Sequence, residues 1–176
     1  MDKNSFRKKC LKKLKVVSQQ SRYYKDYLVS RKIEELIDNL DVKNILVYLP
    51  LGIEVDLQKL MKKYRRKKFN IFVPFIEQES FKMVKYRLPL KKEGSFKILQ
   101  SPNSNLIVEQ IDMIIVPVVG VDGNYKRVGF GKGMYDRFYE KLRKKPIVVF
   151  VQRDSCYTRE DITDWHDISA DFYITP

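Results

Sequence analysis

The sequence predicts a single α/β domain: a mainly parallel sheet with helices on both faces, a Rossmann-like three-layer arrangement. Three observations predict it. Continuous apolar runs such as Ile45-Leu46-Val47-Tyr48-Leu49, Met113-Ile114-Ile115-Val116 and Ile147-Val148-Val149-Phe150-Val151 have the composition of strands covered on both faces. These runs alternate with segments of helical periodicity, as βαβ units require. The 176 residues suit one domain, 1–176, with no internal repeat and no linker rich in Gly, Ser or Pro.

Taken in order, Phe6, Cys10, Leu14 and Val17 recur at helical spacing and predict an amphipathic helix ending near Val17. Ser18 or Ser21 is placed to cap a second helix, with Tyr24, Tyr27, Leu28, Ile33, Leu36, Ile37 and Leu40 as its apolar face. The first buried strand, 45–49, is broken by Pro50 and Gly52. Asp56 is a cap candidate for a helix carrying Leu57, Leu60, Met61 and Tyr64. Ile71-Phe72-Val73 reads as a short buried strand stopped by Pro74, and 81–86 as an edge strand. The stretch 94–105 reads as an irregular surface connection. A third buried strand, 113–116, precedes Pro117 and the turn Asp122-Gly123-Asn124. Met134, Tyr135, Phe138, Tyr139 and Leu142 then mark a helix, followed by a strand at 147–151 and a short last one at 172–174.

Composition excludes several classes. Hydrophobic residues make up 44% and charged residues 32%, which is ordinary for a globular protein and too apolar for a disordered one. Folding at this size buries roughly 70% of the unfolded chain's surface, a core that needs no disulfide or structural metal. Cys10 and Cys156 are the only cysteines, without a CxxC or a pairing pattern, so two reduced thiols in an intracellular setting are expected. The opening MDKNSFRKKCLKKLKVV lacks the apolar run of a secretory signal, and no segment approaches the roughly 20 apolar residues of a membrane span. A cytoplasmic protein with no membrane partner is the expectation. The net charge of +13 draws anionic ligands, but the cations are scattered and equally describe a solvated surface.

The most informative stretch is Val128-Gly129-Phe130-Gly131-Lys132-Gly133-Met134-Tyr135-Asp136. Alternating glycines allow positive φ and a close approach of backbone N–H groups to a ligand, and a helix starting directly afterwards adds further donors. Arg127 and Lys132 bring forked and mobile positive charge beside them. The pattern is neither a Walker A loop nor the Rossmann fingerprint, since it has no GK[ST] and reads GxGxG. A turn needing flexibility is the plainer explanation, yet only seven glycines exist in the chain and three fall within five residues. Phosphate binding is the better one. Asp136 is positioned for Mg²⁺ at nucleotide phosphates or, more simply, as a first-turn acid. Asp167 is a second metal candidate or an exposed loop charge, and His166 is structural or orients Asp167. Glu54, just after the first buried strand, suits the amidine edge of a pterin or purine, or again a first helical turn.

Taken together these pieces resemble the 5-formyltetrahydrofolate cyclo-ligase family, also called 5,10-methenyltetrahydrofolate synthetase, over nearly the whole chain. Lys3-Asn4-Ser5-Phe6-Arg7 resembles the family's opening K-x-x-[L/F]-R, and Glu54-Val55-Asp56 its E-x-[D/E]-T. The segment from Met113 through Asp122, and then from Arg127 to Arg137, is similar to the strand, proline, F-D-x-x-G-N-R and L-G-x-G-x-G-Y-Y-D signature. Gln152, His166-Asp167 and Asp171-Phe172-Tyr173-Ile174-Thr175 resemble the closing motifs.

The resemblance implies ATP- and Mg²⁺-dependent cyclisation of 5-formyltetrahydrofolate to 5,10-methenyltetrahydrofolate, with ADP and phosphate released. It assigns nucleotide contacts to Lys3, Asn4, Ser5, Phe6 and Arg7 and to Arg127, Val128, Gly129, Phe130, Gly131, Lys132, Gly133, Met134 and Tyr135. Folate contacts fall to Arg7, Glu54, Phe130, Gly131, Lys132, Gly133 and Met134. Asp136 and Asp167 are its Mg²⁺ ligands, and Lys132, Arg127 and Tyr135 its catalytic candidates. Met134, Leu57 and Val121 depart from the family pattern, but none removes a charge. A monomer acting on small molecules is expected. The alternatives are a basic nucleic-acid-binding module using tyrosines such as Tyr23 and Tyr24, and a folate-binding protein without turnover.

Overall fold

Six strands, β1 (Asn44–Val47), β2 (Asn70–Glu77), β3 (Ser80–Lys85), β6 (Met113–Pro117), β9 (Ile147–Val151) and β10 (Phe172–Ile174), assemble into one sheet in the order β10-β9-β6-β1-β2-β3. The computed structural model describes residues 1–93, 98–104 and 110–176. All pairings are parallel except β2 with β3. Four lesser strands form two-stranded ribbons: β4 (Lys91–Glu93) with β5 (Ile98–Gln100), and β7 (Gly120–Val121) with β8 (Arg127–Val128).

Helices α1 (Lys3–Gln20), α2 (Arg22–Asn39), α3 (Gln58–Arg66) and α4 (Met134–Glu140) complete the layers. On one face, Val29, Ile33 and Ile37 of α2 and Leu60, Met61 and Tyr64 of α3 pack with Ile45, Val47, Met113 and Ile115. On the other, Phe138 of α4 packs with Leu46, Phe72, Ile114, Val116 and Phe150. Alternate residues of one strand thus feed two cores, which is why its sequence is apolar without alternation. The expected three-layer α/β fold is observed. No helix among the described residues is long and apolar enough to cross a membrane.

Several expectations need correction. Cys10 and Cys156 are joined by a disulfide, their Cα atoms 5.7 Å apart, whereas two free thiols were expected. Helix α1 lays Cys10 against the loop following β9, inside a cluster with Phe6, Val119 and Val128. Sequence separation hid this proximity. Tyr24 and Tyr27 lie on the exposed side of α2, not on its apolar face. The buried stripe instead begins at Asp26, which pairs with Arg153, and that pairing rotates the tyrosines outward.

Strand β2 continues through Pro74. The amide of Ile76, two residues on and so on the same edge, donates to Gln100 Oε1 at 2.9 Å rather than to β3. Pro74 therefore lacks its N–H on the side where β1 has already ended. The stretch 94–105 includes strand β5, with 94–97 and 105 outside the described residues.

Candidate active site

The chain leaves β1 towards β2 but leaves β6 towards β9, although β1 and β6 are neighbours. The crevice beyond their carboxyl ends is a topological switch point, where open α/β sheets bind ligands. A cavity of about 410 Å³ lies there, lined by Tyr48, Leu49, Leu51 and Glu54 after β1, by Pro74, Ile76 and Phe81, and by Pro117 ending β6. Arg127, Phe130, Lys132, Gly133, Met134 and Tyr135 close its other side. A second cavity of about 390 Å³ is lined by Lys3 and Arg7 of α1, Arg127, Gly129, Gly131, Gly133, Asp136 and the loop Trp165-His166-Asp167. Arg127 and Gly133 belong to both.

The glycine turn is built as its composition requires. Gly131 has φ +97° and Gly133 φ +60°, backbone conformations that favour glycine. A Cβ on Gly129 would collide with the Arg127 guanidinium, so the absence of a side chain there lets Arg127 lie under the turn. Arg7 ties α1 to it, donating from Nε to the Gly129 carbonyl at 2.7 Å and from Nη1 to Asn4 Oδ1.

Charge is distributed in pairs. Arg127 donates to Asp136 at 3.2 Å, and its guanidinium sits 5.1 Å from the centroid of the Tyr135 ring. Lys3 bridges Asp167 and Asp164, the latter at 2.9 Å. Burial opposes the Lys3 charge, but bonds to the two carboxylates outweigh it and raise its pKa. Asp167 also accepts the Asp164 amide at 2.7 Å. Ligand atoms of Asp164, His166 and Asp167 lie within 4.8 Å of one another, whereas Asp136 is engaged with Arg127 on the same cavity wall.

Glu54 is the carboxylate of the apolar cavity. Burial pushes its pKa up to about 7, against the opposing Leu51 amide and the charges of Arg127 and Arg153. Burial, and then the Glu54 charge, hold the Tyr135 phenol well above its usual range.

The expected residues sort unevenly. Lys3, Arg7, Gly129, Gly131, Asp136 and Asp167 line the charged cavity, and Glu54, Phe130, Lys132, Met134 and Tyr135 the apolar one. Phe6 and Val128 are buried in the cluster around Cys10, so only their backbone is available to a nucleotide. Asn4 Oδ1 accepts from Arg7, and Ser5 donates to the α1 cap Asp2 at 2.6 Å. Sequence reasoning missed Phe81, Gln100 and Asp164. Asp164 shares a loop with Asp167 but no spacing rule marks it, and Gln100 arrives only through packing of β5 beside β2. Leu57, one of the departures from the resembled pattern, is fully buried, and Asp56 Oδ1 accepts the Gln58 amide at 3.0 Å.

A switch-point crevice with a glycine turn, where an apolar cavity meets a charged one, is the arrangement of an α/β domain with a two-compartment ligand site. The chain belongs to the 5-formyltetrahydrofolate cyclo-ligase family, whose model matches residues 1–171. It is 26% identical over 175 residues to the 5-formyltetrahydrofolate cyclo-ligase of Mycoplasma genitalium, covering 99% of this chain and 98% of that one. To the mouse protein of the same name it is 23% identical, covering 96% and 91%. The Aquifex aeolicus 5,10-methenyltetrahydrofolate synthetase structure superposes with a TM-score of 0.81 at 28% identity, covering 98% of this chain and 89% of that one. The Mycoplasma pneumoniae 5,10-methenyltetrahydrofolate synthetase gives 0.76 at 22%, covering 99% of both chains, which shows the shared fold.

Proposed function

We propose that this protein catalyses ATP- and Mg²⁺-dependent cyclisation of 5-formyltetrahydrofolate to 5,10-methenyltetrahydrofolate, releasing ADP and phosphate. The observation that carries the reading is the meeting of an apolar and a charged cavity at Arg127 and Gly133. The apolar cavity takes the pterin, with Glu54 as acceptor for its N–H groups. The charged cavity takes the triphosphate, between the glycine turn, Lys3 and Arg7. The formyl oxygen is phosphorylated by ATP, the neighbouring amine attacks the formyl carbon and closes the ring, and phosphate departs with that oxygen. An amide oxygen leaves poorly by itself; esterified to phosphate it leaves readily. Arg127, at the boundary, and Lys132 would neutralise charge on the transferring group, so catalysis is mainly positioning and electrostatics.

Asp136 and Asp167 suit Mg²⁺: they are hard oxygen donors on the wall of the phosphate cavity, and this ion usually takes one or two carboxylates beside substrate phosphates. The chemistry that Mg²⁺ would supply if held by these two carboxylates is neutralisation of phosphate charge.

Purified protein given 5-formyltetrahydrofolate and Mg-ATP should gain methenyl absorbance and release ADP in equal amounts. Folate binding without ADP would point to a sequestering protein. Neither signal, with salt-sensitive RNA binding, would point to a nucleic-acid module.

A further inference from the structure

We infer that Arg153, which lines neither cavity, is the positioning residue that fixes Glu54 for folate recognition by gripping the backbone of the loop between β1 and α3. This rests on the reading of Glu54 as the folate-binding carboxylate.

Arg153 follows β9 and is 1% exposed, the largest fully buried side chain among the described residues. All five of its N–H groups are used. Nε and Nη2 hold the two Asp26 oxygens at 2.7 and 3.0 Å. Nη1 donates to Ser18 Oγ at 2.6 Å and to the Gly52 carbonyl at 2.9 Å, and Nη2 also donates to the Glu54 carbonyl. Each Nη group therefore joins an anchor on α1 or α2 to the loop, and the two carbonyls they hold lie on either side of Ile53.

The loop needs that grip. Leu51 is 40% exposed, and a Cβ on Gly52 would meet nothing within 4 Å, so packing does not fix this part of it. Within the loop, Glu54 donates its amide to the Leu51 carbonyl at 3.0 Å, and its carboxylate accepts the Leu51 amide at 2.7 Å. That closed turn is held from beneath by Arg153 and presents the carboxylate to the apolar cavity. A purely stabilising role explains the arrangement poorly, because apolar residues of similar volume often stabilise as well as a buried ion pair does. A rigid guanidinium fork fixes geometry, which a lysine ammonium does not.

The test is Arg153→Lys, which keeps the charge and loses the fork. The Kd and KM for 5-formyltetrahydrofolate should rise at least about tenfold, or about 1.4 kcal/mol, with KM for ATP held within about twofold. Asp26→Asn should act in the same direction. A folded Arg153→Lys with unchanged folate Kd, or with both KM values raised alike, overturns the inference. If that variant does not fold, the wild-type Arg153 Nε–H resonance decides. A shift on adding 5-formyltetrahydrofolate without nucleotide supports the role, and an unmoved resonance overturns it. A wild type that binds folate but does not turn over removes the cyclo-ligase reading and leaves the Kd comparison standing. A wild type that binds no folate removes both.

Discussion

Arg127 and Asp136 form an ion pair at 3.2 Å, with side chains 7% and 10% exposed, at the boundary between the two cavities. The Ile168 amide also donates to Asp136 Oδ1 at 3.3 Å, so the pair ties the glycine turn to the loop carrying Asp167. The proposed charge neutralisation by Arg127 and the stability of the turn therefore depend on one contact.

That contact separates two variants. Asp136→Asn leaves the buried Arg127 with a neutral partner and should lower stability by roughly 1–3 kcal/mol as well as slowing turnover. Lys132 is exposed, and Lys132→Ala should slow turnover at least about tenfold with the melting temperature nearly unchanged. Melting curves and steady-state kinetics on both check this. Near wild-type turnover in either variant withdraws that residue's role.

Gly129→Ala should act through Arg127. The added Cβ would sit 2.7 Å from Arg127 Nη1, so the guanidinium must move off its place between the cavities. We expect kcat to fall by about tenfold or more with a smaller change in folate Kd, because the lost interaction belongs to the transferring group. A fall in folate affinity alone would contradict this.

Glu54 predicts a pH dependence. Its pKa rises from 4.5 to about 7 on folding, so the folded protein holds a proton that the unfolded chain releases between these values. The associated stability is full below about pH 4.5 and lost as pH rises through about 7, amounting to at most about 3 kcal/mol. Glu54→Gln should therefore gain stability relative to wild type across that window. Folate affinity should run the opposite way in wild type, strengthening as Glu54 ionises near pH 7 and losing this dependence in Glu54→Gln. Parallel pH profiles for the two proteins would remove Glu54 from the recognition.

Trp165 is the only tryptophan in the chain, is 86% exposed, and stands on the rim of the charged cavity beside His166. Mg-ATP should change its fluorescence in a saturable way, while 5-formyltetrahydrofolate alone leaves it nearly unchanged. The reverse pattern would exchange the two cavity assignments.

Much of this was legible in the sequence because it depends on local pattern. The buried strands 113–116 and 147–151, the short last strand 172–174, the apolar residues of α3 and the glycine turn all follow from composition within a few residues. The errors arise where contacts link distant segments. Asp26 holds a core position because Arg153 lies opposite it, and α2 turns to suit that pair rather than its tyrosines. Cys10 meets Cys156 because α1 packs across β7, a contact that no spacing encodes. Gln100 and Asp164 reach the site by tertiary packing, as does the grip of Arg153 on the Glu54 loop.

The central claim, that the formyl oxygen receives the phosphoryl group where the two cavities meet, is tested most directly by labelling that oxygen with ¹⁸O. The account predicts one ¹⁸O in each phosphate released, read from the isotope shift in ³¹P spectra. Unlabelled phosphate, with the heavy atom recovered in water or retained on the folate, would contradict it.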